Sequence, residues 1–237
     1  MKASAIIVAA GSGTRLGFDV PKAFVELGGR TLLWYSLRTI GAVAPIEEAV
    51  VTVPPAMEPQ ARAQVRAAGL EIPVKLTPGG AERQDSVRIA LGLTSAEAEL
   101  VVVHDAARPF ATPAMFAATL AAAERLGGAI SATPVADTLK RVGAGAGRSD
   151  GNDRAIVGTV AREGLWQAQT PQAFRRTLLI RAHDRAVLDA LVATDDADLV
   201  ERLGATVAVV DGSTLNFKIT TADDLRLAEL LVANRIR

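Results

Sequence analysis

Six short apolar runs rich in valine and isoleucine are spaced along this chain, with helix-length segments between them. That alternation limits the fold more than any other feature. Ser4–Ala9, Ala49–Val53, Ile72–Leu76, Leu100–Val103, Ala129–Ala132 and Val207–Val210 read as buried strands, short and flanked by glycine, proline or charge. Between them, Leu32–Ile40, Met57–Ala68, Gln84–Leu93, Pro113–Leu126, Arg176–Ala190 and Asp223–Asn234 carry apolar residues at three- and four-residue spacing, the helical period. Thr112 before Pro113 reads as an N-cap ahead of a first-turn proline. Thr221 reads likewise, with Asp223 and Asp224 placed to favour the positive end of the last helix. Strands alternating with helices predict an α/β fold in three layers, Rossmann-like, with a mostly parallel sheet and helices on both faces. At 237 residues the chain fits one such domain spanning 1–237, and no fixed-period repeat divides it.

One segment breaks the alternation. Within 133–163, two β-like stretches, Ala136–Val142 and Arg154–Val160, flank a run of glycine and polar residues, Gly143–Asp153. This predicts a β-hairpin arm projecting from the sheet. A two-stranded arm alone is marginal in water, so it needs a surface to lie against. A partner subunit is the expected one, which makes a homodimer the expected assembly; a loose surface insertion is the alternative.

Composition removes several function classes. Hydrophobic residues make up 49% of the chain, enough for a sizeable core and too many for a disordered state. Basic and acidic side chains balance at 26 each, without the basic excess of a general nucleic-acid binder. The absence of cysteine excludes disulfides, thiolate metal sites and cysteine catalysis. Two histidines, His104 and His183, are too few for a histidine-built zinc site. No apolar run approaches the roughly 18 residues of a membrane helix. The apolar stretch Ala5–Ala10 is too short for a leader and runs straight into a glycine loop. A globular cytoplasmic protein is expected, with no membrane or nucleic-acid partner.

In parallel sheets, ligands bind beyond the carboxyl ends of strands, so the residues after each strand are the candidates. After the first come Ala10, Gly11, Ser12, Gly13, Thr14 and Arg15, then Gly17 and Pro21-Lys22. Glycines there let backbone N–H groups approach an anion. The third glycine falls one residue too late for the dinucleotide fingerprint, no ribose-binding acid stands about twenty positions on, and no Gly-Lys-Ser/Thr closes a Walker loop. Arg15 and Lys22 add two cations to this loop, and Lys22 is one of only five lysines against 21 arginines. A triphosphate suits such a loop, with amides cradling it and cations neutralising charge that grows in phosphoryl transfer. After the third strand, Gly79-Gly80 opens a helix whose first turns carry Ser86, within reach of a base or ribose. After the fourth, His104-Asp105-Ala106-Ala107-Arg108-Pro109 places an acid and an arginine for a magnesium-bound nucleotide, or for an internal Asp105–Arg108 ion pair. His104 reads as a packed or hydrogen-bonded residue and His183 as a solvated helix residue. Thr194-Asp195-Asp196 reads as a cap for the helix that follows. Arg162 and Lys218 are candidates for clamping a second anion.

Taken in order, Ala-Ala-Gly-x-Gly-x-Arg, Pro-Lys, Gly-Gly-x-x-Arg-x-Asp-Ser-Val, His-Asp-Ala-Ala-Arg-Pro, Thr-Pro-Gln and Asn-x-Lys-x-Thr resemble the 2-C-methyl-D-erythritol 4-phosphate cytidylyltransferase family from about Ala5 to Ala228. Ribitol-5-phosphate cytidylyltransferases are the next most similar group. The first loop is shared by many sugar nucleotidyltransferases; His104–Pro109 with Gln84–Val87 and Asn216–Thr220 is far more specific. The resemblance implies cytidylyl transfer from CTP to a sugar-alcohol phosphate in the methylerythritol phosphate route to isoprenoid precursors, with a magnesium ion and a homodimer whose arms exchange contacts. It implies that Arg15 and Lys22 stabilise the transition state at the α-phosphate. Lys218 and Arg162 would position the acceptor phosphate. Asp105 would hold the acceptor or the magnesium-bound nucleotide. It further implies a nucleotide site of Ala10, Gly11, Ser12, Gly13, Gly80, Ser86, Asp105 and Arg108. Thr138 and Thr170 would join the acceptor site, with Thr138 and Arg162 reaching it across the dimer. Two departures stand out: the turn Gly143–Asp153 is longer than usual, and Ala81 replaces an acid present in some relatives.

The chemistry agrees with the residues available. A phosphate acceptor is a competent nucleophile without a strong base, and no histidine or cysteine is placed as one. The remaining work is to position two polyanions for in-line displacement of pyrophosphate. Two rivals predict other behaviour: an NAD-dependent dehydrogenase would bind NAD, and a non-catalytic nucleotide-binding module would bind CTP without releasing pyrophosphate.

Overall fold

The computed structural model describes residues 1–11, 20–143 and 155–234. A seven-stranded sheet forms its centre. Its strands are β1 (Ala3–Val8), β4 (Ile46–Val53), β5 (Val74–Pro78), β6 (Leu100–Asp105), β7 (Gly128–Pro134), β10 (Trp166–Arg175) and β11 (Ala208–Asp211). They lie in the order β11-β7-β10-β6-β1-β4-β5. β10 pairs antiparallel with both β6 and β7, while every other pairing in the sheet is parallel. Two small hairpins complete the β structure: β2 (Glu26–Leu27) with β3 (Arg30–Thr31), and β8 (Leu139–Val142) with β9 (Ile156–Val160). The helices are α1 (Leu32–Ile40), α2 (Glu58–Ala68), α3 (Arg83–Leu91), α4 (Pro113–Leu126), α5 (Arg176–Leu188), α6 (Asp196–Glu201) and α7 (Ala222–Ala233).

The strand period of two builds the layers. On β1, Ala3, Ala5 and Ile7 face one core and Ile6 the other; on β6, Leu100 and Val102 face the first, Val101 and Val103 the second. The first core is closed by Leu33 and Leu37 of α1, Ala61 of α2, and Phe116 and Leu120 of α4. The second is closed by Val87 of α3, Leu179 of α5 and Leu199 of α6. Helices therefore cover both faces, as the alternation predicts. A third cluster seats α7 against the β2–β3 hairpin through Leu225, Ala228, Leu27 and Tyr35. The expected caps form: Thr112 accepts from Met115 N–H, Thr221 from Asp224 N–H, and Asp195 from Asp198 N–H. Among the described residues no helix is long and apolar enough to cross a membrane.

Two expectations are corrected. Trp166–Arg175, not among the expected strands, forms β10 in the interior of the sheet, between β7 and β6. Pro171 removes a ladder donor and so argues against a central strand. It falls where the pairing with β7 breaks, between Ala168 and Gln172, and no ladder bond is lost there. His183 is not solvated: it is buried beneath α6. The hairpin arm is present, its strands ending at Val142 and Val160 as expected but beginning later, at Leu139 and Ile156; most of the turn Gly143–Asp153 lies outside the described residues.

At the amino end of the sheet, buried Glu48 ties three segments together. It accepts from Ser4 Oγ at 2.7 Å, from Lys75 Nζ at 2.9 Å and from Ser95 N–H. Burial alone would raise its pKa; the Lys75, Ser4 and Ser95 hydrogen bonds outweigh that and hold the carboxyl below its ordinary value. Its stabilisation is therefore present above the unfolded-state glutamate pKa, about 4.3, and is lost as pH falls through the folded value. Glu48→Gln should cost about 2 kcal/mol at pH 7. Urea midpoints of the two proteins should converge towards pH 3; a gap that stays constant with pH would refute this account.

Candidate active site

The strand order creates the site. From β1 the chain builds outwards through β4 and β5, then crosses back through α3 to place β6 on the other side of β1. Connections after β1 and β6 leave in opposite directions, which opens a crevice at their carboxyl ends. A cavity of about 410 Å³ lies there. Its walls are Val8 to Gly11 after β1, Lys22 and Ala23, Gly80 to Arg83 with Ser86, Asp105 to Ala107 after β6, and Lys218.

Close backbone packing shapes one wall. A Cβ at Gly79 would sit 2.2 Å from Ala10 Cβ, and one at Gly80 would sit 2.3 Å from Asp85 Cβ. Only glycine lets the β5 loop approach the β1 loop this closely. Ser86 Oγ accepts from Gly80 N–H at 3.0 Å and donates to the Glu82 carbonyl at 3.2 Å, so this hydroxyl fixes the loop. A capping box between Glu82 and Asp85 fixes the start of α3.

Charge organises the floor. Asp105, the last residue of β6, is buried, and both of its oxygens are ion-paired: Oδ1 with Arg83 Nε at 3.0 Å, Oδ2 with Lys218 Nζ at 2.6 Å. Burial would push Asp105 up, but Arg83 and Lys218 more than reverse this and hold the carboxyl well below the usual carboxylate range. It remains ionised at any physiological pH. The Asp105–Arg108 pair considered from the sequence does not form. Arg108 instead donates to the carbonyls of Asn216 at 2.8 Å and Ala168 at 3.3 Å, stapling the Lys218 loop to β10. Ile219 N–H donates to the Ala107 carbonyl at 2.9 Å, and Asn216 Nδ2 to the Thr170 carbonyl at 2.9 Å. These bonds set Lys218 opposite Asp105. Thr170 Oγ1 accepts from Asp105 N–H at 3.0 Å and lies 2.9 Å from His104 Nδ1. Burial, with Arg108 and Arg83 nearby, lowers the His104 pKa to about 4, so the ring is neutral and packs against Phe116. It is a packed, hydrogen-bonded residue behind the cavity, as expected from the sequence.

Ala10, Gly11, Lys22, Gly80, Ser86, Asp105 and Lys218 thus come together around one cavity. Arg108 and Thr170 stand behind it, holding its walls. Ser12, Gly13 and Arg15 lie outside the described residues. Thr138 and Arg162 are exposed at the base of the arm, where the Arg162 guanidinium donates to the Ala136 carbonyl. The sequence reading missed Arg83 as a site residue, together with Asp196 and His183 behind it. A usable signal existed: a carboxylate at the end of a fully buried strand needs a counter-charge, and the arginine after Gly-Gly begins the next helix.

Cations at the mouth and floor, ionised Asp105 between two of them, and backbone packed close enough to cradle a ligand suit a polyanion. Comparison with known proteins gives a concordant result. A model of the 2-C-methyl-D-erythritol 4-phosphate cytidylyltransferase family matches residues 3–234. A protein of that name from Deinococcus radiodurans is 47% identical over 234 residues, covering 98% of this chain and 90% of the relative. The crystal structure of the Thermus thermophilus protein of the same name superposes with a TM-score of 0.79 at 39% identity, covering 98% of this chain and 100% of that one. The 4-diphosphocytidyl-2C-methyl-D-erythritol synthase of Anaerococcus prevotii superposes with a TM-score of 0.82 at 29% identity, covering 98% of each chain. With its sheet order, its glycine-lined cavity and a match over nearly its whole length, this chain belongs to the 2-C-methyl-D-erythritol 4-phosphate cytidylyltransferase family.

Proposed function

We propose that the protein transfers a cytidylyl group from CTP to 2-C-methyl-D-erythritol 4-phosphate, releasing pyrophosphate, in non-mevalonate isoprenoid precursor biosynthesis. The observation that carries this reading is the cavity at the β1–β6 crevice, lined by Lys22 and by ionised Asp105 with its partners Arg83 and Lys218, beside the Gly79–Gly80 loop. The acceptor phosphate oxygen attacks the α-phosphorus of CTP as pyrophosphate departs in line. No protein base is required, which fits a site whose nearest histidine, His104, is buried, neutral and hydrogen-bonded.

The roles divide by position. Ala10, Gly11, Ser12, Gly13, Gly80 and Ser86 hold the nucleotide, with Arg108 fixing the wall behind. Arg15 and Lys22 stabilise the charge that grows at the α-phosphate. Lys218 and Arg162 position the acceptor phosphate, helped by Thr138 and by Thr170 beneath Asp105. Asp105 holds Lys218 in place at the cavity by its ion pair. A magnesium ion fits as a companion of the nucleotide. Among the described residues no cluster of three or more His, Cys, Asp or Glu could cage a metal, and magnesium is commonly held by one carboxylate together with substrate phosphates. Asp105 would supply that carboxylate, and the ion would withdraw charge from the triphosphate. The chain acts as one domain, 1–237, and works in the cytoplasm.

The arm, 133–163, completes the site as part of a homodimer. Its strands expose Val142, Ile156 and Val157, and Trp166 beside them is 43% exposed. Such a surface on a marginal hairpin calls for burial against a partner. Thr138 and Arg162 at the arm's base do not line their own subunit's cavity, as expected if they serve the neighbouring one.

Two measurements test this reading. With magnesium and CTP, pyrophosphate should be released with 2-C-methyl-D-erythritol 4-phosphate and not with ribitol 5-phosphate. Lys22→Ala should slow turnover about 10²–10³-fold without unfolding the protein; a folded variant at normal rate would sink the assignment of Lys22. For the arm, Ile156→Asp with Val157→Asp should convert a dimer to a monomer in sedimentation and cut activity steeply. A fully active monomer would contradict the shared site.

A further inference from the structure

Arg83 does not stop at Asp105. While its Nε pairs with Asp105 Oδ1, its Nη1 pairs with Asp196 Oδ2 at 2.8 Å. Asp196 begins α6, is only 1% exposed and lies outside the cavity lining. Its other oxygen, Oδ1, is 3.2 Å from Nε2 of buried His183 on α5. A continuous row of charged and polar groups thus runs from α5 through α6 and α3 to the cavity: His183, Asp196, Arg83, Asp105 and Lys218.

We infer that Asp196 is a positioning residue for the transfer reaction, acting through Arg83 on the Asp105–Lys218 pair. This rests on the cytidylyl-transfer reading given above. A guanidinium is a planar fork that favours bidentate pairing with a carboxylate. Asp196 holds Nη1 of Arg83, and Nε engages Asp105 through one oxygen. The other oxygen stays with Lys218. Without the Asp196 charge, Arg83 is free to fold both prongs onto Asp105. Lys218 would then lose its partner and its aim. Side chains with two alternative pairings in low dielectric shift in discrete steps, and a displacement of about 1 Å in a positioned group can cost 10²-fold in rate.

Asp196 is not needed simply to dock α6. Gln84, next to Arg83, clamps the preceding loop independently: its Nε2 donates to the Leu191 carbonyl at 3.0 Å, and its Oε1 accepts from Ala193 N–H at 2.9 Å. Docking and charge therefore separate into two side chains on the first turn of α3, and each can be removed alone.

The test compares Asp196→Asn, Arg83→Lys, their combination and Gln84→Ala by pyrophosphate release, with thermal midpoints recorded for each. Asp196→Asn should lower kcat about 10–100-fold with the KM for CTP little changed, the pattern of an interaction realised in the transition state. A single ammonium does not reproduce the two separated guanidinium nitrogens that meet Asp105 and Asp196, so Arg83→Lys should lose a similar factor, and the double variant should be no slower than Arg83→Lys alone. Gln84→Ala should lower the midpoint and leave kcat near wild type. Wild-type kcat in folded Asp196→Asn overturns the proposal. So do multiplicative losses in the double variant, or an equal kcat loss in Gln84→Ala. If Asp196→Asn does not fold, Arg83→Lys decides: normal kcat refutes the bridge, and a kcat loss at constant KM supports it. Absence of pyrophosphate release by the wild-type protein would instead fault the reaction assigned above.

Discussion

One buried carboxylate governs how this molecule is assembled. Asp105 ends a strand in which every residue is buried, where an unpaired charge would cost several kcal/mol. The fold meets that cost with two cations far apart in sequence, Arg83 and Lys218, the latter 113 residues away. Pairing with Asp105 brings the start of α3 and the loop before α7 to the same point. The cavity's walls and the solution to a burial problem are the same set of contacts. That is why the walls around it are held by so many side chains that never face the cavity, among them Arg108, Asn216, Thr170 and His104.

The insertion of β10 is the second constraint. In an all-parallel sheet, β6 and β7 would be neighbours. Here an antiparallel strand enters between them, and its Gln169-Thr170 segment supplies the hydrogen bonds beneath Asp105 and to Asn216. The reversal delivers the arm-to-β10 connection to the carboxyl ends of β6 and β7, on the same rim as the cavity. Thr138 and Arg162 lie at the base of an arm that springs from that rim.

Much of this was legible in the sequence, for identifiable reasons. The strands β1, β4 and β6 announce themselves because nearly every position on both faces is buried and aliphatic residues dominate. The caps at Thr112 and Thr221 are local chemistry. The glycine pair and Lys22 could be singled out because glycines and a rare lysine in a strand-end loop are uncommon without a ligand. β10 was not legible: glutamines and a proline mask a strand whose Gln169, Thr170 and Gln172 side chains hydrogen-bond to tertiary partners. Nor was the burial of His183 and Asp196, which depends on how α5, α6 and α3 pack and leaves no mark in spacing. Arg83 fell between the two cases, visible as a motif residue but silent about the two acids it joins.

The contact between Gly79 and Ala10 has a consequence for how such a chain can change over time. The two loops share space for one methyl group, already filled by Ala10. A methyl at position 79 requires that the one at position 10 be given up and that Ser86 Oγ, 2.9 Å from it, move as well. Neither substitution is independent: alanine at both positions overfills the wall, and an alanine–glycine exchange between them still presses on the Ser86 hydroxyl that fixes the loop. The ligand-facing backbone of two separate loops is thereby inherited as a single unit.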